Sequence, residues 1–246
     1  MKKLLIIISV ITYCSFPVFT QETVTKYVFP IYPGDKSWQE TRYPERLDYL
    51  QIPDSALKTM SNIQLIGACF DYPFSINLFA YNNLEEGFIN LCNIFNGYSE
   101  LLARRNITTE LIDFYKNMSA FNFSDKYATF NEYHNPLKFY LLETILIQDK
   151  IINKLDYLQK VSLISACEDK YHLKKDSLIL YDGKPVFSSN SLRSTMKVVC
   201  SIALTDKNSL DPAIAQLCKR TLNNSTLSNE NYDRIISELK KYYIIK

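Results

Sequence analysis

A chain of 246 residues that is 47% hydrophobic and only 22% charged can bury a sizeable core, as one large domain or two small ones, and is not disordered throughout. Lys and Arg number 28 against 26 Asp and Glu, and Lys2 with Lys3 supply that whole excess, so the remainder is formally neutral. A neutral chain with no run of more than two adjacent basic residues lacks the electrostatic footprint that phosphate backbones require, which argues against a nucleic-acid partner.

The first twenty residues read as a signal peptide: Lys2 and Lys3 precede the apolar run 4–11, which is too short to span a bilayer. Cleavage is expected between Thr20 and Gln21, with the small residues Val18 and Thr20 facing the peptidase. Cys14 is the alternative, standing directly after the apolar run where a lipoprotein carries its acylated cysteine, although Tyr13 before it is bulkier than lipoprotein processing favours. Either route leads out of the cytoplasm, to the periplasm, the outside or an outer-membrane anchor. No later stretch offers 18 uninterrupted apolar residues, so no integral span is expected in the mature chain.

Residues 21–52 hold three prolines, Gly34 and the single tryptophan without helical periodicity, and predict an extended lead-in packed by Trp38 and Tyr43. A helical domain is expected over 53–246. Asp54 is placed to cap a short turn over 55–59, and Ser61 with Gln64 forms a capping-box pattern for a helix that must stop before Pro73. Leu84, Phe88, Leu91, Cys92 and Phe95 recur at helical spacing. Gly97 is read as separating that helix from one over 98–105, and Asn106 as opening another to Met118, with a polar aromatic loop to Asn135.

Pro136 suits a first helical turn, and 137–147 is apolar nearly all round, which predicts a helix through the middle of the core. A further helix is expected from Val161 to Lys175. Asp182-Gly183 between 178–181 and 184–187 then gives a hairpin signal. Three helices close the chain, over 192–203, 212–222 with Asp211 as cap, and 232–243. Leu-Ile-Gly-Ala-Cys at 65–69 echoes Leu-Ile-Ser-Ala-Cys at 163–167, an irregular repeat that would fit two related halves, 53–118 and 136–246. The expected fold is therefore all-α, with eight to ten short helices packed around a central apolar one and a single small β-hairpin.

The stretches "RYPERLDYLQIPDSALKTMS", "LIGACFDYP", "LFAYNN" and "FNGYSELLARRN" resemble a family of exported bacterial α-helical proteins of unknown function. The resemblance covers residues 42–115. It implies an envelope location and a helical architecture, and it carries no catalytic residue.

Chemistry-bearing groups are sparse. Cys69, Cys92, Cys167, Cys200 and Cys218 remain after the leader, an odd number without C-x-x-C pairs, which reads as core thiols rather than a disulfide framework or a zinc site. Which of them pair, if any, is open at this level. Cys167 and His172, five apart, would point about 140° from each other on a helix, whereas Glu168 and His172, four apart, can meet as an exposed pair.

Glu85-Glu86, Glu45 with Asp48, and Asp71 are the acids that could join a carboxylate pair for hydrolysis. Only five glycines occur, none spaced for a phosphate loop, and there is no Gly-x-Ser-x-Gly. No cofactor is expected. Asn106, Asn117, Asn122, Asn223 and Asn224 match the N-glycosylation pattern, and Asp54-Ser55-Ala56 and Asp176-Ser177-Leu178 a short O-glycosylation pattern, while the abundance of Asn and Tyr carries no ligand inference by itself. These features favour a non-catalytic binding or scaffolding protein of the cell envelope, with an envelope protein or polymer as partner. The alternative is an exported hydrolase using paired carboxylates.

Overall fold

The computed structural model describes residues 26–118, 135–176, 187–205 and 210–244. Those residues form thirteen α-helices and one 3-10 turn, with no strand among them. In chain order they are α1 (Lys36–Glu40), α2 (Tyr43–Tyr49), α3 (Asp54–Thr59), α4 (Asn62–Asp71), the 3-10 turn (Ser75–Phe79), α5 (Leu84–Ile94), α6 (Asn96–Ala103), α7 (Ile107–Asn117), α8 (Asn135–Leu146), α9 (Asp149–Ile152), α10 (Tyr157–Asp176), α11 (Ser189–Thr205), α12 (Pro212–Leu222) and α13 (Asn229–Ile244). None is long and apolar enough to cross a membrane. The leader, its cleavage pair Thr20 and Gln21, Cys14 and residues 177–186 of the expected hairpin lie outside the described residues.

Local chemistry explains most boundaries. The Ser61 hydroxyl accepts from the Gln64 amide (3.2 Å) while the Gln64 side chain accepts from the Ser61 amide (2.8 Å), a reciprocal cap that starts α4. Asp211 accepts from Ala213 and Ile214 to start α12, as expected. Asp54 does not cap: it is the first residue of α3, with Pro53 in the cap position. Helix α10 begins four residues earlier than its apolar pattern suggests because Asp156 and Gln159 form a second reciprocal cap (2.8 and 3.1 Å).

The expected extended lead-in is corrected by α1 and α2, since Pro44 fits a first helical turn and Glu45 closes back on Arg42. Trp38 and Tyr43 do pack, both against Phe74 at ring distances of 5.1 and 5.2 Å.

The segments around Gln51, Tyr72 and Asn96 hold one another. Gln51 donates to the Ile94 carbonyl (2.8 Å) and accepts from the Asn96 amide (3.0 Å). Asn96 in turn accepts from the Ile52 amide (3.0 Å) and donates to its carbonyl (2.7 Å). Two side-chain amides thereby satisfy backbone groups of a partner far away in sequence, where water cannot reach them freely. Tyr72 stacks on Phe95 with centroids 4.1 Å apart, and the Tyr98 hydroxyl donates to the Cys69 carbonyl (2.7 Å). Arg104 reaches the carbonyls of Leu57 and Met60, both at 2.8 Å, closing the end of α3. These residues make a fold.

Gly97 does not separate two helices; it lies in the first turn of α6, where an added Cβ would run into the Phe95 ring. Gly87 marks a closer approach, of α5 to the 3-10 turn, where a Cβ would overlap the Leu78 carbonyl.

Buried apolar side chains form one cluster from Phe29 to Tyr243. Helix α11 packs against α8, α10, α12 and α13, and α8 against α5, α7, α9, α11 and the 3-10 turn. The expected role of 137–147 as an apolar axis is corrected by its polar content: α8 ends at Leu146 and carries a fully buried acid, Glu143, beside buried Thr144. The echoed segments present the same residues inward, Leu65, Ile66, Ala68 and Cys69 on α4 and Leu163, Ile164, Ala166 and Cys167 on α10, so a shared burial pattern accounts for the likeness.

Replacement of Gly87 by Ala is expected to cost about 3 kcal/mol, because backbone must move, and of Gly97 by Ala about 1–2 kcal/mol, because a ring must. Urea unfolding followed by circular dichroism orders the two; equal midpoints to the wild type would refute the close approaches.

Candidate functional site

The groups singled out from sequence are separated by the fold. Cys167 is fully buried, and its thiol is pushed up by desolvation and by the nearby Glu143 charge. His172 lies on the surface beside Glu168 at 3.9 Å. Four of the five candidate carboxylates are engaged: Asp71 by Lys26 (3.0 Å) and Lys138 (3.7 Å), Glu45 by Arg42, Glu86 by the side-chain amide of Asn83 (2.9 Å), and Glu85 by Lys197. Asp48 sits in α2 with no ion pair among the described residues. Of the acceptor asparagines, Asn122 lies outside the described residues, while Asn106, Asn117, Asn223 and Asn224 stand at helix ends.

The five described thiols are free, four of them buried and Cys92 half-buried. Burial pushes Cys92 up to about 11 and raises Cys69 and Cys200 as well. A raised pKa leaves little thiolate at neutral pH, so these are poor nucleophiles. No group of three or more His, Cys, Asp or Glu poised for a metal ion occurs among the described residues.

Two polar constellations remain, one sealed and one open. The sealed one joins four helices. Lys174 of α10 donates to both oxygens of Glu143 on α8 (2.7 and 2.9 Å), to Thr195 Oγ1 of α11 (2.9 Å) and to the Ser191 carbonyl (3.2 Å). Glu143 Oε1 also accepts from the Thr195 hydroxyl and from Tyr115 of α7, each at 2.7 Å. The ion pair has no solvent exposure on either side chain, and the ammonium faces the rings of Phe139 (5.0 Å) and Phe187 (5.7 Å).

Three ammonium protons meet the carboxylate, a carbonyl and a hydroxyl, which is full satisfaction for a lysine. Burial pulls Lys174 below its ordinary value while Glu143 holds it up. Burial and the same carboxylate push the Tyr115 phenol up, which keeps it a donor. With no path to solvent, the cluster is structural.

The open constellation is a cleft of about 310 Å³ between the loop leading into α5 and the outer face of α11. Phe79 closes the 3-10 turn on one wall at 44% exposure, Tyr81 follows at 43%, and Tyr140 of α8 meets Phe79 edge-on at 5.3 Å. The opposite wall is a polar stripe at helical spacing, Asn190, Arg193, Ser194 and Lys197. Lys197 is nearly buried and bonded to Glu85 Oε1, while Glu85 Oε2 has no hydrogen-bond partner.

Arg193 is held by one nitrogen, its Nη1 donating to the Asn224 carbonyl and to Thr226 Oγ1, both at 3.0 Å. Asn224 offers that carbonyl from the left-handed region, φ 63°, which asparagine tolerates. No hydrogen bond among the described residues engages Arg193 Nε or Nη2. The stripe on α11 is legible as spacing, and Phe79, Tyr81 and Asn82 follow one another within 78–83; their meeting is a product of tertiary structure.

Other hollows carry charges already paired, among them one of about 520 Å³ in which Asp71 meets Lys26 and Lys138. A groove of about 450 Å³ between α10 and α13 is lined by charges already paired, Glu168 with Lys240 (2.9 Å) and Lys175 with Asp233 (3.1 Å). Compared with family models, with characterised proteins and with solved structures, the chain matches none.

Lys174→Met is expected to cost about 3–5 kcal/mol by stranding a buried carboxylate, and adding Glu143→Leu to recover much of that loss; a double-mutant cycle in urea checks both. Iodoacetamide at neutral pH should label Cys92 first, and Cys69, Cys167, Cys200 and Cys218 only once denaturant is added. Peptide mass mapping reads the order, and early labelling of Cys167 would contradict its burial.

Proposed function

We propose that the chain is an exported bacterial protein of the cell envelope that binds a polymer or protein partner without altering it, akin to the exported helical family its first half resembles. Export is supported by the charged and apolar residues at 2–11; cleavage before Gln21 would free the protein into the periplasm or beyond, and acylation at Cys14 would tether it. The observation that carries the binding reading is the cleft. Phe79, Tyr81, Asn82 and Asn190 face solvent there and Arg193 keeps hydrogen-bonding capacity to spare, whereas a sealed core group of comparable polarity is fully satisfied. The carboxylates beside the cleft, Glu85 and Glu86, are committed to Lys197 and to the Asn83 side-chain amide, which suits holding better than acid–base turnover.

The test incubates the purified mature protein with insoluble envelope fractions. Retention that is reversible, releases no soluble fragments and falls at least several-fold in Tyr81→Ala supports this reading. Steady release of reducing ends or peptides, abolished by Glu85→Gln, would overturn it in favour of a hydrolase. Retention by no fraction would overturn it too.

A further inference from the structure

We infer that the cleft takes an acidic saccharide, with a sugar face against Phe79 and Tyr81 and a carboxylate on the open edge of Arg193. This rests on the binding reading above and names its ligand class. The size is suitable: about 310 Å³ lies at the lower end of small-molecule sites and holds a mono- or disaccharide unit of a longer chain.

The walls divide the chemistry. Exposed ring faces carry the negative side of an aromatic quadrupole, which attracts the polarised C–H groups of a pyranose face. Phe79 and Tyr81 offer such faces, and the Tyr140 ring fixes Phe79 by its edge. Sugar hydroxyls both donate and accept, and so does a side-chain amide. Asn82 and Asn190, exposed on opposite walls, supply that match.

Charge narrows the class. Glu85 neutralises Lys197, so Arg193 is the cation in the cleft with no carboxylate partner among the described residues. Its guanidinium is anchored through Nη1 on Asn224 and Thr226, which leaves the Nε–Nη2 edge pre-set for two parallel hydrogen bonds to one carboxylate. A phosphate fits less well, because the exposed Glu86 in the first turn of α5 would repel a second negative charge.

Isothermal titration calorimetry on the mature protein uses three probes: trigalacturonate, a neutral galactose trisaccharide, and a Glu-containing tripeptide. The trigalacturonate should bind at least about tenfold tighter than the neutral sugar, the margin of one charge-assisted bidentate contact. Arg193→Gln should erase that margin and leave neutral-sugar binding in place. Tyr81→Ala should weaken both sugars about three- to tenfold.

Because Arg193 also ties down the turn after α12, Asn190→Ala, at an exposed position, serves as a second probe: it should weaken both sugars with an unchanged unfolding midpoint. Equal affinity for the two sugars, or tighter binding of the tripeptide, would overturn the ligand class. If no sugar binds while envelope retention still depends on Tyr81, the class fails and the binding reading stands; if retention is independent of Tyr81, both fail.

Discussion

The pairing of Glu143 with Lys174 is the constraint from which the rest of the helical packing follows. A charge pair without solvent exposure is tolerable only when every remaining proton and lone pair is met. Meeting them takes a phenol from α7, a carboxylate from α8, an ammonium from α10 and a hydroxyl and carbonyl from α11. Sliding α8 or α10 by a turn would strand a charge in the core, and sliding α7 or α11 would remove a hydrogen bond from it, so the cluster penalises alternative packings more than it stabilises the chosen one. That penalty fixes α11 against α8 and α10, and therefore fixes which side of α11 is left to face outward.

Much of this architecture was legible in the residues, and the misses share a physical cause. Reciprocal caps, such as Ser61 with Gln64, and Asp211 before Pro212 declare helix starts because the signal is local: a short side chain three residues from an amide. The apolar stripe of α5 declares its inner face for the same reason. Position 143, by contrast, reads as a flaw in an apolar run, because nothing within a helical turn reveals a lysine 31 residues on that will neutralise it. The stretch 21–52 reads as extended from its prolines, yet Pro44 sits where a helix accepts one. Gly97 reads as a break and is instead a site where a ring occupies the space of a side chain.

The cleft was half legible. Asn190, Arg193, Ser194 and Lys197 fall on one face of α11 by spacing alone, but a polar face on a helix is ordinarily solvated surface. What distinguishes it is the wall opposite, built from residues more than a hundred positions earlier, which only the folded chain brings near. The first half of the fold follows the other logic. Gln51, Asn96, Tyr72, Phe95 and Arg104 all bind other parts of the same chain. Side chains committed in this way serve architecture.

The seam at Asn96 bears on how the molecule ages. An asparagine followed by glycine is the context in which a side-chain amide most readily cyclises onto the next backbone nitrogen and sheds ammonia. While Asn96 grips Ile52 through both its oxygen and its nitrogen, the amide cannot swing round to react. Deamidation there would put a carboxylate oxygen against the Ile52 carbonyl that Nδ2 had served, and the seam would not close again. Time spent open at this one junction thus sets a chemical clock, and the lifetime of the native chain is written in how seldom Asn96 lets go.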